Sequence, residues 1–290
     1  MPPVTSARAV RRARAGNRRF ARGLARAFAG AVLFALPLLM TMEMWRLGSS
    51  LPAGHIALFL GVALPLLVGL SYIAGFEPTF RLRDDALDAA IALGLGLAAA
   101  AAVLALLGII RPGMPAADAV GRVALQAVPA AIGAMLARSQ LRGNGERSDA
   151  QAAEERRRRE ASHGIELFTM GIGALFLALT VAPTEEILSL GHTMSDWQLV
   201  ALIAVSLVTM HAFVYALDFR GQAGVPEGTR QWSLALRYTV PGYALALLVS
   251  LYVLWTFGRA DGLSAGSLLA ITVVLGFPAA FGAAAARLIL

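Results

Sequence analysis

Two glutamates, Glu43 and Glu186, share one local pattern: each stands two residues after a threonine (Thr41, Thr184) and five before a glycine (Gly48, Gly191). Each falls near the end of an apolar run of membrane-spanning length, where a charge is expensive and points to function by default. Two such carboxylates at matching positions could bind a small cation or exchange protons. Glu185 adds a second carboxylate beside Glu186, and His192 follows. The competing reading is structural: interfacial carboxylates pairing with Arg46 or Arg111. The sequence leaves both open.

Other polar residues inside apolar runs carry weaker signals. Asp88 and Arg237 occupy matching places in an internal repeat and could form an ion pair across it, or each could reach separately to the interface. His211, near Thr209 and Tyr215, suits an interhelical hydrogen bond or a proton relay. Asp118 and Arg122 stand at i and i+4 and can pair on one helix face. Thr184-Glu185-Glu186 partly resembles the double-Glu motif of intramembrane CAAX-type proteases. The Arg that follows in that motif is replaced here by Leu190, and the later His motifs do not align, so no hydrolase is expected. There is no phosphate loop and no pair of haem ligands. With no Cys there is no thiolate nucleophile and no Cys metal site. All 25 basic residues are Arg, which removes Lys Schiff-base chemistry. No catalytic residue, no cofactor and no enzyme activity are expected; a metal cannot be named.

The elements that would position these residues are transmembrane helices. The chain is 58% hydrophobic with a mean hydropathy of +0.67. The apolar residues fall in runs of about 20, the length of a bilayer-spanning helix, and in lipid such a run must satisfy its own backbone. The runs lie at 25–47, 54–75, 86–110, 117–138, 164–188, 197–219, 235–257 and 264–288. They predict an all-α polytopic bundle of about eight helices. Pro37, Pro65, Pro129, Pro241 and Pro278 are expected to kink it.

Arginine positions orient the chain. With the N-terminus inside, the inner segments 1–24, 76–85, 139–163 and 220–234 hold most of the Arg, and the outer loops hold only Arg46, Arg111 and Arg259. That is the positive-inside pattern with both termini cytoplasmic. It also explains the pI of about 10.8 without nucleic acid. The expected location is the bacterial inner membrane, with the lipid bilayer as the principal partner. The segment Glu154–Glu160 in the inner loop suits lipid headgroup contact.

Laying 30–76 over 173–219 brings Gly30 onto Gly173, Thr41 onto Thr184, Glu43 onto Glu186, Gly48 onto Gly191 and Tyr72 onto Tyr215. Farther on the register lengthens by six, and Pro129–Arg138 meets Pro278–Arg287. The pattern predicts two tandem, parallel four-helix repeats, 25–138 and 164–290, with a basic tail at 1–24 and a charged linker at 139–163. An even number of helices per repeat keeps both units in one orientation, related by a pseudo-two-fold axis along the membrane normal.

The segments Arg26–Ala31, Met40–Trp45, Gly75–Phe80, Ala127–Ala131 and Arg138–Leu141 resemble a bacterial family of multi-pass integral inner-membrane proteins of unknown function. The resemblance implies an integral membrane protein and adds no site residues. Two functions then compete. One is a secondary transporter or channel-like protein for a cation or proton, with Glu43, Glu186, Glu185, Thr41 and Thr184 at its site. The other is a non-transporting membrane scaffold or sensor, with the tail and the 139–163 loop as its contact surface. They are distinguished by whether the carboxylates share a polar cavity or lie apart at the periphery.

Overall fold

The computed structural model describes residues 4–74, 82–140, 163–215 and 238–289. The described residues form ten helices: α1 Val4–Leu39, α2 Met42–Ser50, α3 Ala53–Ala74, α4 Leu82–Leu106, α5 Ala116–Gln140, α6 His163–Val181, α7 Glu185–Thr193, α8 Asp196–Tyr215, α9 Val240–Thr256 and α10 Ala265–Ile289. Seven of them, α1, α3, α4, α5, α6, α8 and α10, are long and apolar enough to cross a membrane. The apolar α9 is shorter, at 17 residues, yet it also runs from one end of the bundle to the other. Its start meets α8 where His211 bonds Thr239, and its far end leads to Arg259, which bonds Glu185 on α7. With α9 the described helices cross the bundle eight times. Most of the 139–163 linker lies outside the described residues.

Two boundaries differ from the hydropathy pattern. The runs 25–47 and 164–188 read as single helices, but each is broken after its spanning part, giving the nine-residue helices α2 and α7. Apolarity continues through both breaks, so composition alone does not show them. At the first, Thr41 is extended (φ −91°, ψ 116°), its N–H donates to Leu38 O, and its hydroxyl donates to Pro37 O. At the second, Pro183 has no N–H to continue the ladder, and Thr184 N–H and hydroxyl both turn back to Val181 O. Glu43 and Glu186 thus open separate short helices instead of ending long ones.

Within lipid the tails are as apolar as leucine, so helices associate by close packing of small residues. That is how α5 and α10 hold their halves. Gly30 on α1 faces Gly133 and Ala137 on α5: a Cβ on Gly30 would lie 2.9 Å from Gly133 O. Gly173 on α6 meets Gly282 on α10 in the same manner. The short helices dock likewise, α2 through Gly48 on the backbone of Gly121 and Arg122 in α5, and α7 through Gly191 on Ile271 in α10.

The halves meet through aromatic contacts: Phe34 with Phe176 (6.1 Å between ring centroids), Phe59 with Phe257 (6.0 Å) and His55 stacked on Trp255 (5.4 Å). His55 Nδ1 also lies 3.2 Å from Thr256 O. This seam joins α3 to α9, whereas their counterparts α8 and α4 do not join in the same way. Trp255, which stacks on His55, is 44% exposed, whereas Leu106 at the matching place on α4 is 87% exposed. A two-fold rotation would give the two faces equal surroundings; the seam is instead one-sided.

Candidate functional site

The α2/α7 end holds the carboxylates marked by their spacing. Glu43 is half-buried in the first turn of α2; Glu185 and Glu186 are the first two residues of α7 and are exposed. A helix start carries partial positive charge from its unpaired N–H groups, so acidic side chains there are favourable. The two glutamates sit on opposite halves, α2 against α5 and α7 against α10. Arg259 Nη1 bonds Glu185 Oε1 at 2.7 Å, and its Nη2 donates to Pro183 O. Arg46 turns to Met42 Sδ (3.7 Å) and Arg111 to Gly108 O (2.6 Å), so neither serves Glu43. Thr41 and Thr184 spend their hydroxyls on the preceding turn and do not cap the helices they open. His192 Nδ1 lies 2.6 Å from Leu188 O, within its own helix.

A second polar group lies beside α2, in α5. Asp118, Arg122 and Gln126 are spaced by four and so form one row along that helix. Arg122 does not turn to Asp118. Its Nη1 donates to Ile109 O (3.0 Å) and its Nη2 to Ser49 Oγ (3.4 Å), tying the α4–α5 turn to the end of α2. One turn deeper, Gln126 is fully buried, and neither its oxygen nor its nitrogen has a hydrogen-bond partner; Arg122 Nε is likewise buried and unpartnered. Sequence reasoning found Asp118 and Arg122 but missed Gln126. The available signal was its place one further turn along the same face.

At the opposite end, Ser71 donates to the buried Asp85 at 3.3 Å. Asp88 is half-buried on α4, and its expected partner Arg237 lies outside the described residues. His211 Nδ1 is 3.1 Å from Thr239 Oγ1, which is the interhelical hydrogen bond suggested for it. His163 packs edge-on against Tyr238 at 4.9 Å. Among the described residues no three His, Asp or Glu side chains are grouped to hold a metal ion.

A family model described as "Putative integral membrane protein (DUF2391)" matches residues 23–290. No curated protein and no solved structure matches the chain.

Proposed function

The chain belongs to this family of integral membrane proteins, and we propose that it acts in the bilayer as a non-transporting scaffold or sensor and not as an enzyme. The observation that carries this reading is the placement of the carboxylates. Glu186 is exposed, Glu43 is half-buried, and they stand at the starts of short helices in opposite halves. Helix-start electrostatics account for an acidic residue at both places without a transported ion. The close glycine crossings, Gly30 with Gly133 and Gly173 with Gly282, also fill each half with backbone.

The competing reading, a cation or proton transporter, draws on the helix breaks at Thr41 and Thr184, since broken helices build many transport sites. Reconstitution separates the two. Proteoliposomes carrying the chain, tested with several monovalent cations and at several pH values, should show flux no greater than protein-free vesicles. A flux that vanishes in Glu43→Gln and Glu186→Gln would replace the scaffold reading with the transport reading.

The same proposal places the chain in a bacterial inner membrane with both termini cytoplasmic, on the strength of the arginine asymmetry. It also takes the two halves as products of a tandem duplication. Support comes from the helix bounds. The short helices α2 and α7 begin at Met42 and Glu185, in the register that lays Glu43 over Glu186. The helices α5 and α10 begin at Ala116 and Ala265, in the register that lays Pro129 over Pro278, and are equally long at 25 residues.

A further inference from the structure

We propose that Arg122 and Gln126 form a binding site for an oxyanion, of the phosphate type, covered by α2. Gln126 is 0% exposed, with both polar atoms of its amide unpartnered, and Arg122 Nε is in the same condition one turn above. A buried donor or acceptor without a partner is destabilising. The fold does not require polarity here. In the register that lays Pro129 over Pro278, the matching residues of α10 are Ile271 and Leu275, both fully buried. The same place in the bundle is therefore filled by apolar side chains in one half and by a guanidinium and an amide in the other. A scaffold role explains Ile271, Leu275 and the bonds that Arg122 makes through Nη1 and Nη2, and leaves Arg122 Nε and the Gln126 amide without a reason.

The unused groups specify their ligand. Arg122 Nε offers one N–H and the Gln126 amide two, against a single free acceptor, Gln126 Oε1. Donors outnumber acceptors and one carries positive charge, so the complement is an anionic oxygen group. Counted from Ala116 at about 1.5 Å per residue, Arg122 lies about 9 Å and Gln126 about 15 Å along the helix. A lipid headgroup phosphate and a free phosphate are the two sources of such a group.

The cover is α2. Gly48 rests on the backbone of Gly121 and Arg122, and Ser49 Oγ accepts from Arg122. Both flanking residues, Thr41 and Leu51, are extended, so α2 is linked at each end by non-helical backbone. The inference does not rest on the non-transporting reading; an oxyanion could be sensed or carried.

The test is thermal unfolding of the full chain in lipid nanodiscs. Phosphatidylcholine discs are compared with phosphatidylglycerol discs, and sodium phosphate with sodium chloride at equal ionic strength. The wild-type midpoint should rise with one of the two anion sources. A rise with phosphatidylglycerol names the lipid headgroup, and a rise with phosphate names the soluble ion. The rise should be lost in both Arg122→Gln and Gln126→Leu. Without the anion, Gln126→Leu should melt at or above wild type, because leucine fills the matching place in α10. No rise from either source, the same rise in both variants, or a Gln126→Leu midpoint below wild type would each overturn the proposal.

Discussion

Gly173 on α6 and Gly282 on α10 pack backbone to backbone, so that a Cβ on either would overlap the other's carbonyl oxygen. Gly30 and Gly133 repeat the arrangement between α1 and α5. Each pair marks a close approach of two helices within its half.

Substitution at these crossings is therefore expected to destabilise. Gly173→Leu or Gly282→Leu should cost at least the roughly 1–3 kcal/mol typical of overpacking, seen as a lower unfolding midpoint in detergent. Gly94 on α4 supplies the control. Nothing lies within 4 Å of a Cβ there, so Gly94→Ala should be neutral or stabilising by up to about 1 kcal/mol through helix propensity. Equal losses at Gly173 and Gly94 would remove the crossing from the account.

The ion pair between Arg259 and Glu185 should be unequal in its two partners. Glu185 is 68% exposed and Arg259 15%. Removing the exposed carboxylate by Glu185→Gln should change stability by no more than about 1 kcal/mol, as for surface pairs. Arg259→Ala should cost more, because it also removes the bond to Pro183 O that braces the α6–α7 break. Chemical denaturation of the two variants side by side decides the order.

Glu43→Gln and Glu186→Gln should both fold and insert. Their expected effect is the loss of a favourable charge at a helix start, about 0.3–1 kcal/mol at low ionic strength. It should shrink in high salt as the charge is screened. A loss that persists at high salt would point to a specific partner for the carboxylate.

Topology follows from the arginine distribution. Reporter fusions after residues 150 and 225 should read cytoplasmic, and fusions near 113 and 260 periplasmic. A periplasmic reading at 150 would contradict four crossings per half.

Much of the bundle was legible in the sequence because lipid imposes one rule on every span: about 20 apolar residues in a helix. The starts of α5 and α10 lie within a residue of the runs at 117 and 264. The breaks at Thr41 and Thr184 were not legible, since Met40, Met42 and Ala182 keep the hydropathy high while local backbone bonding ends the helix. The seam between halves was hidden for another reason. Trp255 and Leu106 fall at matching places when the two halves of the sequence are laid over each other, and their different surroundings depend on how the halves dock, which no internal comparison of the sequence contains. Gln126 carries no charge, so a reading that weighs ionisable groups inside apolar runs does not single it out. Only its unpartnered burial sets it apart.

The brevity of α9 bears on the surrounding lipid. At about 1.5 Å per residue its 17 residues reach about 26 Å, against a hydrocarbon core of about 30 Å. Leu248, Leu251 and Trp255 give it an outward face, while α4, α5 and α10 each run 25 residues. Among the described spans the α-helical stretch is shortest on the α9 flank. A short span is accommodated by tilt or by local thinning of the bilayer, so lipids with shorter tails are expected to gather beside α9.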